Sequence, residues 1–215
     1  ADINLTDGDD VFTQSFDDRN QWNHYYGRDG ADVIKLYQGL AIGGRGNDII
    51  EKLPIGGEWW RNIQAAYWDS PAGILANLPA GWIDDGWGTR DTVVGVTTVH
   101  GSGRDDRFIG DGADNFFWGN GGTDRFDGGA GYDGIGIPWF QPAPGQPWLQ
   151  TTLADLDIQV GVDGRTATIK PRTGTLICSS WNIAMLLRTS AVATTWGVVT
   201  TTAPVSGSDC DSEIC

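Results

Sequence analysis

Between residues 101 and 136 the chain repeats a nine-residue unit four times without interruption, and that period restricts its fold more than any other feature. The units 101–109, 110–118, 119–127 and 128–136 read GSGRDDRFI, GDGADNFFW, GNGGTDRFD and GGAGYDGIG. Their sixth positions hold Asp106, Asn115, Asp124 and Asp133, and their eighth positions hold Phe108, Phe117, Phe126 and Ile135. A small turn, a carboxylate or amide, and a large apolar residue thus recur together.

Glycine at the first, second and fourth positions tolerates positive φ, which lets the backbone coil tightly enough for its carbonyls to point at one small centre. The remaining three residues form a short strand whose alternation sends the eighth-position side chain inward. Nine residues then make half a coil. Two nonapeptides complete one coil, so Asp106 stacks on Asp124 along one edge and Asn115 on Asp133 along the other, about 4.8 Å apart by strand spacing. Two carboxylates at that distance repel by roughly 3.5 kcal/mol at an effective dielectric of ~20. A cation between successive turns removes the repulsion. Ca²⁺ suits the position because it accepts six to eight hard oxygens at ~2.3–2.6 Å in flexible geometry.

The repeat occurs a second time upstream. Residues 43–51 (GGRGNDIIE) fit it completely, with Asp48 and Ile50 in the diagnostic places, and residues 27–34 (GRDGADVI) and 8–12 (GDDVF) fit in part through Asp32 with Ile34 and Asp10 with Phe12. The pattern resembles the RTX, or haemolysin-type calcium-binding, nonapeptide Gly-Gly-x-Gly-x-Asp-x-U-x, with U a large apolar residue. That resemblance implies a parallel β-roll with Ca²⁺ held by the side chains of Asp32, Asp48, Asp106, Asn115, Asp124 and Asp133. By the same resemblance, backbone carbonyls of Gly43, Gly44, Gly46, Gly119, Gly122, Gly128, Gly129 and Gly131 complete the coordination. Two units depart from the pattern, with Asn115 in place of Asp and Arg104 in place of the fourth-position glycine. Those turns bind weakly or serve only as edges.

The expected architecture is an all-β, parallel β-roll, an RTX-type solenoid with a stranded insertion and a C-terminal hairpin cap. Residues 1–51 form a first array, 52–100 the insertion, 101–136 the second array, and 137–215 a Pro-rich linker, cap and atypical tail. Within the insertion, residues 71–99 resemble the segment that often precedes such repeats, a Gly-Ile-Leu-x-Asn-Leu strand leading to a turn and a Val-rich strand. Asp84, Asp85 and Asp91 there read as solvated turn carboxylates in preference to a further cation site. After Pro138, Pro142, Pro144 and Pro147, residues 155–162 and 166–170 alternate like two strands around Asp163-Gly164, a hairpin that closes the open end of a repeat stack. From Gly164 to Ser208 there is no Asp or Glu, although the chain holds 28 of them. All three cysteines, Cys178, Cys210 and Cys215, lie in that tail, which is either a capping segment or sequence foreign to the domain.

Lys and Arg number 14 against 28 Asp and Glu, a formal charge of −14, which argues against nucleic acid and anionic membranes as partners and for a cation. The most apolar tail stretch, residues 183–193, is broken by Arg188 and too short to span a bilayer, so a soluble protein is expected. With no disulfide framework in the body of the chain, stability there must come from another source, and calcium-driven folding outside the cell, hence secretion, is what the resemblance implies. RTX repeats accompany secreted hydrolases and toxins, but no His-Glu-x-x-His or Gly-x-Ser-x-Gly motif occurs, and His24 and His100 are the only histidines. The expectation is therefore a binding protein and not an enzyme. The alternatives are the non-catalytic RTX part of a larger hydrolase or toxin, and a carbohydrate-binding or adhesion module. The latter rests on Trp59, Trp60, Trp68, Trp82 and Trp87, with Trp59, Trp60 and Trp87 as the candidate ligand contacts; core packing is the competing role for these indoles.

Overall fold

The computed structural model describes residues 1–56 and 61–136, together with the strands Leu156–Val160, Thr166–Pro171, Ala184–Ser190 and Ala193–Gly197. The chain winds through about six coils of a β-solenoid, contributing in turn to two facing sheets. The first three coils are the pairs β1 (Asp2–Asn4) and β2 (Val11–Thr13), β3 (His24–Asp29) and β4 (Val33–Leu36), and β5 (Gly39–Arg45) and β6 (Ile49–Lys52). The fourth opens with β7 (Ile63–Ala66) and continues through β8 (Leu75–Asn77), β9 (Trp82–Asp84) and β10 (Arg90–Val94). β11 (Thr98–His100) at the end of the insertion and the repeats 101–136 supply the rest, the latter with β12 (Arg107–Ile109), β13 (Phe116–Trp118), β14 (Asp124–Asp127) and β15 (Gly131–Gly136). Among the described residues the one helical segment is a 3-10 turn, Leu78–Ala80, and no helix is long and apolar enough to cross a membrane.

Pairing across the coils is parallel with a whole-coil offset, as a half-coil nonapeptide demands. Arg107 to Ile109 pair with Arg125 to Asp127, and Phe116 to Trp118 with Gly134 to Gly136, each 18 residues on. This register puts every eighth-position residue in line. One inner wall runs Ile3, Tyr25, Ala41, Ala65, Val99, Phe117, Ile135. The facing wall includes Phe12, Ile34, Ile50 and Val93, then Ile83, Ala76, Phe108 and Phe126. The interior is two side chains thick, and Phe108 fills it by stacking on Phe126 with ring centres 4.9 Å apart.

The insertion is built into the stack. Sheet order in one wall runs unbroken from β5 through β7 to β11, while in the other β10 pairs with β6, β8 pairs with β12, and β9 fills the gap antiparallel to both. The two arrays therefore share one solenoid. The Val-rich run is divided, because Gly95 at φ 69° ends β10 and carries the chain across to β11 in the opposite sheet.

Two antiparallel hairpins cover the C-terminal end. Strands β16 (Leu156–Val160) and β17 (Thr166–Pro171) pair with one another, and β17 lies on β14. In the other sheet β18 (Ala184–Ser190) lies on β15 and carries β19 (Ala193–Gly197). Antiparallel strands satisfy the backbone groups that an open solenoid end would leave unpaired. The expected turn at 163–164, the four prolines and the three cysteines lie outside the described residues.

Candidate metal centre

Each sixth-position side chain turns back over the glycine five residues before it. A Cβ added to Gly27, Gly43, Gly101, Gly119 or Gly128 would collide with the Oδ2 atom of Asp32, Asp48, Asp106, Asp124 or Asp133, and one at Gly110 with Asn115 Oδ1. None of these six glycines has positive φ. The first-position glycine is therefore required by close approach of the carboxyl group, and its backbone freedom is not what selects it. This corrects the sequence expectation, which attributed all three glycines to positive φ.

Positive φ belongs to the second and fourth positions, and it sorts the turns into two kinds. Turns 27–32, 43–48, 119–124 and 128–133 adopt it at both, with Gly44 at 94° and Gly46 at 138° as the clearest pair. Arg28 at 80° and Asn120 at 65° occupy the second position in two of the four, at a steric cost that glycine avoids. Turns 101–106 and 110–115 do not adopt it, and their side chains close the loop directly. Ser102 donates its backbone N–H to Asp106 Oδ2 (2.8 Å) and its hydroxyl to Asp106 Oδ1 (2.7 Å). Asp111 N–H donates to Asn115 Oδ1 (2.8 Å), and Asn115 Nδ2 returns a bond to Asp111 Oδ1 (3.2 Å).

A ladder of hydrogen bonds links the sixth positions from coil to coil. Asp10 N–H donates to Asp32 Oδ1 (2.8 Å), Asp32 N–H to Asp48 Oδ1 (2.8 Å), and Asp48 N–H to Asp91 Oδ1 (3.0 Å). In the second array Ile74 N–H donates to Asp106 Oδ1 (2.8 Å), Asp106 N–H to Asp124 Oδ1 (3.0 Å), and Asn115 N–H to Asp133 Oδ1 (2.9 Å). One oxygen of each carboxyl group is thereby committed to the fold. In three of them the other is not: the Oδ2 atoms of Asp32, Asp48 and Asp133 are buried without a hydrogen-bond partner, in side chains at most 1% exposed.

Burial governs the protonation of this column. It pushes the Asp48 carboxyl up to about 7, with Asp32 adding like charge, and the Asp124 carboxyl up to about 9, with Asp106 adding like charge. Asp133 and Asp106 are each raised to about 6, again by burial first, and Asp32 is raised for the same reason. A group that burial pushes toward its neutral form gains from any cation that neutralises it.

The insertion adds a member that the repeat reading passed over. Residues 86–94, GWGTRDTVV, place Asp91 sixth and Val93 eighth, and Val93 pairs with Ile50 as the next coil should. The nine-residue spacing carries the signal, masked by glycines at the first and third positions in place of the usual set. Asp91 is fully buried, accepts the Tyr67 hydroxyl at 2.8 Å through Oδ2, and is pushed up to about 8 by burial with Asp48 as a like-charge neighbour. Asp85 is also fully buried, accepting the N–H groups of Trp87 (2.9 Å), Gly88 (3.2 Å) and Thr89 (3.0 Å). Asp84 pairs with Arg90 at 2.6 Å. The solvated-turn expectation thus fails for Asp85 and Asp91, whose carboxyl groups hold the insertion together.

The aromatic candidates divide. Trp59 and Trp60 lie outside the described residues. Trp87 is half-buried beneath the Arg45 guanidinium, 4.3 Å from its ring centre, and Trp82 sits under Arg90 at 3.8 Å. Trp68 is 43% exposed, with its ring edge-on to His100. His100 stacks on Trp118 with ring centres 5.7 Å apart, and burial pushes its pKa down to about 4, so it packs as a neutral imidazole with Nε2 2.7 Å from Gln64 Oε1. His24 lies at the surface, 3.2 Å from Asp2.

Among the described residues no three His, Cys, Asp or Glu side chains converge on a single point. Any cation at these turns would therefore be held by no more than two such side chains, with backbone carbonyls completing the set. Neither a protein-family model nor a curated protein sequence matches the chain.

Proposed function

We propose that this protein is a calcium-binding β-roll of a secreted protein, in which turns 27–32, 43–48, 119–124 and 128–133 hold Ca²⁺ and the bound ion completes the fold. The observation that carries the reading is the set of buried, unpartnered Oδ2 atoms on Asp32, Asp48 and Asp133. A buried polar atom without a partner costs about 1–3 kcal/mol, and more when it is charged, so such atoms call for a ligand.

The residues fit a hard cation. The chain carries a formal charge of −14, and the space above each first-position glycine is bounded by the sixth-position oxygen. At Gly27 and Gly110 the first-position carbonyl of the next coil, Gly43 or Gly128, borders the same space. A bound Ca²⁺ supplies the counter-charge that the column lacks. Asp32, Asp48, Asp124 and Asp133 would hold it, with carbonyls of Gly43, Gly44, Gly46, Gly119, Gly122, Gly128, Gly129 and Gly131. Ca²⁺ is favoured over Mg²⁺ because carbonyl-rich turns offer flexible coordination, whereas Mg²⁺ demands a near-ideal octahedron. Asp106 and Asn115 do not enter this set, since Ser102 and Asp111 already satisfy them.

Binding to the folded state alone stabilises it by about 2.7 kcal/mol at a free concentration one hundred times Kd. Extracellular calcium is high and cytosolic calcium low, so the chain would fold after export. Isothermal titration calorimetry against Ca²⁺ and Mg²⁺ tests the reading. Saturable heat with Ca²⁺ that Mg²⁺ does not reproduce is expected, and absence of saturable binding at millimolar Ca²⁺ would refute it.

A further inference from the structure

We infer that the Tyr67–Asp91 pair ends the first carboxylate column with a hydroxyl where turns 27–32 and 43–48 leave an oxygen open, and so divides the roll into two blocks that take up cations independently. The inference rests on the calcium reading above and concerns how its sites are coupled.

Asp91 continues the ladder as a fourth rung after Asp10, Asp32 and Asp48, because its Oδ1 accepts the Asp48 N–H at 3.0 Å. Its Oδ2 is the atom that Asp32 and Asp48 leave without a partner, and here the Tyr67 hydroxyl donates to it at 2.8 Å. Tyr67 is 2% exposed and joins the apolar core, so its ring fixes the hydroxyl in place. The chain thus provides by covalent attachment a donor that elsewhere would have to be bound from solution.

The next coil breaks the column on the other side. In β8 the inward residue is Ala76, and the position two before it, where the turns carry Asp, is Ile74. Ile74 brings no carboxyl group; its N–H donates to Asp106 Oδ1 and its carbonyl accepts the Arg107 N–H. Between Asp91 and Ile74 runs β9, antiparallel to both neighbours, and the buried Asp85 that follows it leaves no oxygen open, since Oδ1 accepts the N–H groups of Trp87, Gly88 and Thr89 and Oδ2 the Thr89 hydroxyl. Stacked turns are coupled through the N–H to Oδ1 bonds of the ladder, by which ordering one turn orders the next, and through their charges, and both couplings stop where the column breaks. One block therefore comprises turns 27–32 and 43–48, and the other turns 119–124 and 128–133. The apolar core runs through both, so the division lies in cation uptake and not in packing.

Hydrogen exchange read peptide by peptide across a calcium titration of the full chain tests this. Peptides covering 27–52 and 119–136 should each gain protection. Asp48→Asn should raise the calcium midpoint of the first set by at least about tenfold, the equivalent of about 1.4 kcal/mol, and leave the second in place, with Asp124→Asn doing the reverse. Tyr67→Phe should lower the melting temperature more in limiting calcium than in excess calcium, because it opens an oxygen that only a cation or proton can then satisfy. Equal shifts of both peptide sets by either Asp substitution would overturn the division, as would an equal loss for Tyr67→Phe under both conditions. No response of either set to calcium would overturn the calcium reading itself, and the division with it.

Discussion

The carboxyl group of Asp48 lies so close over Gly43 that a single methyl group at Gly43 would collide with Asp48 Oδ2. The same relationship recurs between Gly27 and Asp32, Gly119 and Asp124, and Gly128 and Asp133, so the most invariant spacing in the repeat is a packing constraint between two residues of one turn.

Gly43→Ala should therefore destabilise the fold by about 1–3 kcal/mol, the usual cost of overpacking, although Gly43 has no positive φ for alanine to strain. Gly103→Ala is the control, since nothing lies within 4 Å of its would-be Cβ and its φ is also not positive. It should stay within about 0.5 kcal/mol. Denaturant melts of the two variants in excess calcium check this, and similar losses would mean that the close approach at Gly43 relaxes freely.

The apolar ladder should be steeply sensitive at its centre. Phe108 is fully buried and touches both Phe117 and Phe126, with ring centres 5.1 Å and 4.9 Å away. Phe108→Ala should cost about 3–5 kcal/mol. Val11→Ala, at a side chain 77% exposed on an edge strand, should cost less than about 0.5 kcal/mol. Thermal melts in calcium separate the two.

Protons should substitute for the cation. The folded-state carboxyls of Asp133, Asp48 and Asp124 are raised to about 6, about 7 and about 9 from an ordinary 3.8. The folded state therefore holds more protons than the unfolded one between those limits. Stability from these groups is fully present below pH ~4 and is lost as pH rises through the folded-state values. In EGTA the melting temperature should fall as pH rises from 5, until the fold is lost near pH 7.5. In excess calcium the fall should shrink, because the ion displaces the same protons. A rising melting temperature in EGTA across that range would contradict the burial of the carboxyl column.

The repeat made the solenoid legible because both of its signals are local: the apolar eighth position sets the inner wall, and the 18-residue coil sets the register of Phe108 on Phe126 and Phe117 on Ile135. The column Asp106 to Asp124 was legible on the same ground. What escaped is what depends on contacts between turns. The saturation of Asp106 by Ser102 follows from a serine at the second position that the period treats as a tolerated variant. The burial of Asp85 depends on three strands filling one wall of the fourth coil, a tertiary fact with no periodic trace. Asp91 itself lay within the period, in 86–94, but with its glycines displaced.

Circular dichroism of the full chain at pH 7.5, first in EGTA and then in excess Ca²⁺, is the most direct test of the claim that the metal completes the fold. The β signal should be lost in EGTA and recovered with calcium. Asp124→Ala should raise the calcium midpoint by about tenfold or more, because it removes a buried carboxylate from the second column. Asp17→Ala, at an exposed residue outside any turn of the stack, should leave the midpoint unchanged. Full β signal in EGTA at this pH, or equal shifts from the two substitutions, would contradict the account.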